Sequence, residues 1–226
     1  MAEFIVKENY IQHSPSSFHP SENQGAIQSV LNEDASTFKE AVICVALDNS
    51  EIVGSVKVTR WNQGVILPIY NLFGIDPLLF KENGAQSIWH VGRFAISKKG
   101  KEGAKLLKKL IAIAVYPICC ASNSIMLAEC DSKFVKALNL MGIKTDVLAK
   151  GITYLGSETL PIRSTQEWLN DYLTHSPYYL DAINFYQSED QVTHLIQNKI
   201  MDQAPSHDLI HTISITGTNN SLSYAI

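Results

Sequence analysis

Six lysines crowd one short stretch of this chain: Lys98, Lys99, Lys101, Lys105, Lys108 and Lys109, opposed locally only by Glu102. They follow an apolar run, Trp89–Ile96, that has a single arginine, Arg93, embedded in it, and they are interleaved with Gly100 and Gly103. Read as a strand, a basic glycine-rich turn over Ser97–Gly103 and a helix beginning near Ala104, this order suits phosphate. Glycine lets the backbone come close, amide N–H groups converge on the ligand, and a helix N-terminus adds positive partial charge. The charges alone fit a solvated helix face equally well. Their placement at a helix start favours an anion.

The rest of the chain must supply a frame for that segment. With 226 residues, 46% of them hydrophobic and 18% charged, it suits one globular domain with extensions around a sizeable core. A net charge of −4 argues against a general nucleic-acid-binding surface, which is usually basic overall. Cys44, Cys119, Cys120 and Cys130 have neither metal-ligand spacing nor the pattern of a disulfide framework, and read as buried small hydrophobes. His207 and His211 stand at i, i+4 in a region that does not read as a helix, with no third ligand in view, so no metal is expected. The N-terminus reads as lacking a signal peptide, and the most apolar run, Leu110–Cys120, is too short and too lysine-bounded to span a bilayer. The expectation is a reduced, cytoplasmic protein with no integral membrane association.

Hydrophobic periodicity then predicts the elements. Glu3–Tyr10 has the apolar content of a strand, and Ser21–Asn32 that of a short helix. Ala41–Leu47 and Glu51–Arg60 read as two strands joined by a tight turn at Asp48-Asn49-Ser50, with Val53, Ser55, Lys57 and Thr59 on the wetter face of the second. Trp61–Gln86 reads as irregular, broken by Pro68, Gly74, Pro77 and Gly84. Leu106, Leu107, Leu110, Ile111 and Ala114 give one apolar helix face; Ile125–Glu129 is a buried strand. Phe134, Leu138 and Met141 mark a second helix ended by Gly142, and Ile152–Leu155 a further strand. Beyond Pro161, capping signals at Ser164/Glu167, Ser176-Pro177 and Ser188/Gln191 predict helices over Thr165–Leu173, Pro177–Tyr186 and Glu189–Met201. The stretch from His207 reads as an edge strand or loose tail. The fold class is therefore α/β, with a first unit over residues 1–163 and a helical extension with a polar tail over 164–226.

Three segments of this frame resemble the GNAT acyltransferase superfamily, and within it the autoinducer-synthase branch of acyl-homoserine lactone synthases and N-acyl amino acid synthases. Ile52–Val58 resembles the V-G-x-x-R-L strand of that branch. Trp89–Ile96 resembles its E-x-S-R-F-A-V strand, with His90 in place of the glutamate and Gly92 in place of the serine. Leu138–Ile143 resembles the usual L-x-x-x-G-F/W helix ending, and Leu138 occupies the place of the tyrosine that many acetyltransferases use as general acid. The resemblance covers roughly Ala41–Ser157.

That resemblance implies a mixed, mostly antiparallel sheet with splayed central strands, helices on both faces and a C-terminal helical extension. It implies that a thioester, on coenzyme A or on the phosphopantetheine of an acyl carrier protein, threads between the splayed strands. Its amides would bond to backbone groups of Val91, Phe94, Ala95 and Ile96, and its phosphate would sit on Lys98, Lys99, Gly100, Lys101, Gly103 and Ala104. A backbone N–H would stabilise the anionic intermediate, and a small amine, such as an amino acid, would be the nucleophile. An imidazole titrates near neutrality in general, so His90 is a candidate base in place of the carboxylate, against the plainer reading that it only packs or hydrogen-bonds. Arg93 needs a partner inside an apolar strand, and Glu129 on the neighbouring strand is the expected one, as a structural brace rather than a catalytic pair. Leu67–Phe80, apolar for irregular structure, either lines an acyl-chain pocket or packs as core. Two other readings stay open: an acetyl-coenzyme A-dependent N-acetyltransferase, and a catalytically degenerate binding module. The oligomeric state is open too.

Overall fold

The computed structural model describes residues 1–13, 21, 23–97, 103–154, 157–188, 213–214 and 223–224. Two strands open the sheet: β1 (Ala41–Asp48) and β2 (Glu51–Arg60) pair antiparallel, with Val42 beside Val58 and Cys44 beside Val56. Asn49 (φ 49°) and Ser50 (φ 67°) turn the chain between them. Two successive left-handed residues are what a two-residue hairpin needs to match strand twist. Next come β3 (Ser87–Ile96), β4 (Ser124–Asp131), the short β5 (Asp146–Val147) and β6 (Ile152–Tyr154), and β7 (Ser157–Thr165). The spatial order is β1-β2-β3-β4-β7-β5, with β6 also on β7. Among the described strands of this sheet only β3 and β4 are parallel; the other pairings are antiparallel.

Helices cover both faces. On one, α5 (Gly103–Cys120), α6 (Ser132–Leu140), α7 (Gln166–Thr174) and α8 (179–188) bury a continuous core that includes Val56, Val58, Leu110, Ile118, Ile162 and Leu169. Gly54 lets α5 settle onto β2: a Cβ there would stand 2.9 Å from Leu110 and 3.1 Å from Leu106. Asp131 caps α6, accepting from the Lys133 N–H at 2.7 Å, and Gly142 at φ +90° ends it with Ile143 N–H donating back to the Leu138 carbonyl. The other face carries α1 (Ala2–His13), α2 (Gln24–Ser36) and two short helices, α3 (Pro68–Phe73) and α4 (Leu78–Glu82). A second apolar cluster lies there, built on Trp61, Leu67, Ile69, Ile88 and Leu127.

Several expectations change. Glu3–Tyr10 is helical, not a strand, and it buries Ala2, Ile5 and Val6, an i, i+3, i+4 stripe. Trp61–Gln86 contains α3 and α4 rather than only loop. β7 forms where no strand is expected, and it continues past residue 163. The cap of α7 is Thr165, accepting from Trp168 N–H, one residue after Ser164. Ser55, Lys57 and Thr59 do share a face, but it is not wet: they are 0, 4 and 1% exposed beneath the helices of the second face. Cys120 is exposed, not buried. The helix expected over Glu189–Met201 and the His207/His211 pair lie outside the described residues. In the tail, β8 (Ile213–Ser214) and β9 (Ser223–Tyr224) pair antiparallel.

Candidate active site

Two irregularities in β3 create the site. The first is a splay. β3 pairs with β4 only from Ser87/Ser124 to His90/Leu127, yet it stays on β2 as far as Ile96, and β4 stays on β7 as far as Asp131. Past His90 the two central strands part, leaving one edge of β3 without a ladder partner among the described residues. The second is a β-bulge. Between the pairs Gly92/Lys57 and Ala95/Ser55, β2 contributes Val56 alone while β3 contributes Arg93 and Phe94. Arg93 takes up the extra residue at φ 54°, a conformation rare outside glycine. The bulge reverses the alternation of the strand: Trp89 and Val91 face the α5 core before it, Phe94 and Ile96 after it.

At the apex of the splay, His90 Nε2 lies 2.9 Å from Glu129 Oε2, with both side chains about nine-tenths buried. Leu127 is the register partner of His90, and Glu129 is two residues further along β4 on the same face. A carboxylate beside Nε2 favours the tautomer with its proton on that nitrogen, so the lone pair sits on Nδ1.

Arg93 does not pair with Glu129. The bulge turns it toward α2, where its Nε donates to Asp34 Oδ1 at 3.2 Å and its Nη2 makes a 2.8 Å charge contact with Glu33 Oε2, out of line for a hydrogen bond. Asp34 also accepts from Lys57 Nζ at 2.7 Å, and Lys57 donates to Thr37 Oγ1 at 2.5 Å. Two buried cations thus meet two carboxylates of one helix. Desolvation works against the Arg93 guanidinium, but Glu33 and Asp34 overcome it and hold its pKa above the ordinary value. At Lys57 desolvation prevails over the Asp34 bond and lowers the pKa. Glu129 does brace β3 from the neighbouring strand, but its partner there is His90.

A narrow cleft opens between these groups and α3. Lys57, Thr59, His90 and Gly92 form its polar wall, and Ile66, Leu67 and Pro68 its apolar lip. Within Leu67–Phe80, Leu67 and Ile69 are core while Tyr70, Leu78 and Leu79 are exposed, and its first residues reach the cleft. Among the residues expected to hold a thioester, Val91, Phe94, Ala95 and Ile96 lie on the splayed part of β3, and the Phe94 ring packs on Phe134 of α6 at 5.0 Å. Gly103 and Ala104 open α5; Lys98, Lys99, Gly100 and Lys101 fall outside the described residues. No group of three metal-ligating side chains occurs among the described residues, and none of their helices is long and apolar enough to cross a membrane. Sequence reasoning misses Asp34, the carboxylate that Lys57 and Arg93 share. One signal is present: the largest apolar residues around Arg93 stand at odd positions before it (Trp89, Val91) and at even positions after it (Phe94, Ile96).

An open, mostly antiparallel sheet whose one parallel pair splays beside a bulge, with helices on both faces, is the GNAT fold, as the sequence resemblance implied. Among solved structures, the chain is similar to FeeM, an N-acyl amino acid synthase from uncultured soil microbes, at 12% identity and TM-score 0.50, over 74% of this chain and 90% of that one. It is equally similar to BjaI, a coenzyme A-dependent acyl-homoserine lactone synthase solved with SAM and isopentyl-CoA, at 15% identity and TM-score 0.50, over 76% and 78%. At such identities the likeness establishes the fold. No protein-family model and no curated protein sequence matches the chain.

Proposed function

We propose that this chain is an N-acyltransferase, moving an acyl group from a coenzyme A or acyl carrier protein thioester to a small amine such as an amino acid. The observation that carries this reading is the His90–Glu129 hydrogen bond at the apex of the splayed strands. There a buried base, oriented by a carboxylate, faces a cleft on one side of the sheet, at the point where the β3–β4 ladder ends. The two solved structures of like fold are acyl-transferring enzymes by name, which agrees with it.

Each part has a physical role in the reaction. The unpaired edge of β3 from Val91 to Ile96 offers backbone donors and acceptors to the amides of a pantetheine arm, as an extended ligand adds to a sheet edge. The start of α5, at Gly103 and Ala104, and the lysines before it suit the phosphate end. The amine nitrogen attacks the thioester carbonyl, a β3 N–H stabilises the oxyanion, and the nitrogen gives a proton to His90 Nδ1. As the oxyanion collapses back to a carbonyl the C–S bond breaks, and the imidazolium returns its proton to the thiolate, which leaves as a thiol. Glu129 stabilises the imidazolium in between. Arg93 braces the bulge through α2, with Asp34 and Glu33 as its ionic partners.

The test is turnover of coenzyme A and acyl carrier protein thioesters of graded chain length against an amine and amino-acid panel. Wild type should acylate at least one amine, and His90→Ala should lose about 10²- to 10⁴-fold in rate, the usual worth of a general base. Unchanged turnover in His90→Ala would mean that His90 is not the base. A wild type that binds thioesters and never transfers them is a binding module.

A further inference from the structure

The Arg93 carbonyl accepts from Ser55 Oγ at 2.8 Å across the bulge, and Ser55 is fully buried. A serine hydroxyl does there what a backbone N–H does elsewhere in the ladder, and the register gives the reason. Trp61 N–H donates to the Ile88 carbonyl, and Ser97 N–H to the Val53 carbonyl. Bonded pairs recur at every second residue of an antiparallel ladder, so Lys57/Gly92 and Ser55/Ala95 are bonded pairs. The N–H and C=O of Val56, between them, then face β1, where its partner is Cys44. β2 therefore has no backbone donor opposite the two residues of the bulge, and Ser55 supplies a side-chain one.

That bond fixes the direction of two N–H groups. In a planar trans peptide the C=O and the N–H point opposite ways. The Gly92 carbonyl bonds toward β2, so Arg93 N–H faces away from β2. The Arg93 carbonyl is drawn to Ser55 on the same side, so Phe94 N–H faces away as well. Regular alternation turns only every second N–H to a given side of a strand; the bulge turns two in succession. Successive N–H groups at a left-handed residue form a concavity that suits negative charge. They lie on the side from which β4 has parted.

We propose that Ser55 is a positioning residue for the reaction. Its hydroxyl holds the Arg93–Phe94 peptide so that Arg93 N–H and Phe94 N–H both face the opening between β3 and β4. There they stabilise together the oxyanion that forms when the amine adds to the thioester. The assignment rests on the acyltransferase reading and deepens it, by naming what orients the oxyanion donors. Without the hydroxyl the Arg93 carbonyl has no donor on β2, and the peptide is free to turn over. A carbonyl oxygen would then stand where an N–H had met the developing charge.

Ser55→Ala removes the donor, and Ser55→Thr keeps it. Backbone NMR of Arg93 and Phe94 is followed in each, with thermal melting to check folding and turnover of the thioester and amine that wild type uses fastest. Ser55→Ala should move the Arg93 carbonyl and Phe94 amide resonances and take Arg93 out of its left-handed shifts. Its kcat should fall about 10²-fold, the scale of one lost oxyanion donor, while KM for the thioester changes less than about twofold. Ser55→Thr should keep both the resonances and kcat near wild type. A serine that only packs gives the reverse order, with alanine tolerated and the larger threonine slower. That order, unmoved resonances in Ser55→Ala, or a rise in KM that accounts for its whole loss overturns the role of Ser55. If the resonances move as stated while wild type consumes no thioester, the hold of Ser55 on the peptide stands and the acyltransferase reading falls. If wild type turns over and Ser55→Ala keeps its rate, the acyltransferase reading stands and the role of Ser55 falls.

Discussion

The two faces of the sheet use the same strands for opposite ends. Toward α5, β2, β3 and β4 present Val56, Val58, Trp89, Val91, Met126 and Ala128, and the cover is apolar throughout. Toward α2 they present Ser55, Lys57, Thr59, His90 and Glu129, nearly as well buried, with each charged group held by a partner. Burial on the first face removes apolar area from water and stabilises the fold directly. Burial on the second desolvates charge, which contributes little net stability and makes every partner indispensable. The first face is therefore built for cohesion. The second holds polar groups dry and in place, a condition under which electrostatic interactions strengthen.

That division is most vulnerable at Asp34. Asp34→Ala takes away the one carboxylate shared by Lys57 and Arg93, leaving Arg93 only the half-exposed Glu33 and Lys57 only a hydroxyl. Removing one partner of a buried ionic pair costs about 3–5 kcal/mol, and chemical denaturation should show a loss in that range. The same variant should free α2 from β3, read as faster amide exchange in that helix. A loss under about 1 kcal/mol, the worth of a surface pair, would mean that the second face is wet.

A smaller effect is expected from the apolar face. Leu110 is fully buried and rests on Gly54, so Leu110→Ala opens a cavity between α5 and β2. The cost should be about 2–5 kcal/mol in denaturation, with the His90 ring resonances unchanged. A shift of those resonances would show that the two faces are coupled through β2, and would blur the division between them.

How much of this was legible in the chain follows the same division. The β1–β2 hairpin, α5, β4, α6 and its Gly142 ending were readable, because each rests on local periodicity or a turn residue. β7 was not, because Pro161 in its middle reads as a break. The structure shows why it is tolerated: the Pro161 carbonyl accepts from Leu148 N–H at 2.9 Å, on the β5 side, and β5 pairs from Ile162 while β6 stops at Thr159. The missing N–H would have pointed into the gap between them. α1 was misread because Phe4, Ile5 and Val6 favour strands locally, and only tertiary burial decides for the helix. At the site, His90, Arg93 and Glu129 were legible as residues but not as pairs. Parity along β3 fails at a bulge, and no propensity of Arg93 announces a left-handed conformation. Asp34 and Glu33 look like ordinary surface acids of an amphipathic helix until β3 delivers two cations to them.

The mildest probe of the division is alkaline pH, where the faces pull in opposite directions. Desolvation lowers the Lys57 pKa from 10.5, with the Asp34 bond only partly opposing it. Between the folded value and 10.5 the unfolded chain therefore holds more protons at this group, so its contribution to stability rises with pH and is lost as pH falls through the folded value. Cys119, packed against the α5 core, behaves inversely. Burial pushes its thiol from 9.0 up to about 12, so its contribution is complete below 9.0 and is lost as pH rises toward about 12. Denaturation midpoints taken from about pH 8 to the ordinary lysine value of 10.5 should fall more steeply in Lys57→Met than in wild type and less steeply in Cys119→Ala. Lys57→Met should cost less at neutral pH than Asp34→Ala, because the desolvated ammonium is gone and Asp34 still holds Arg93. A parallel pH profile for Lys57→Met and wild type would place the ammonium in water, and the second face would then differ from the first in composition but not in dryness.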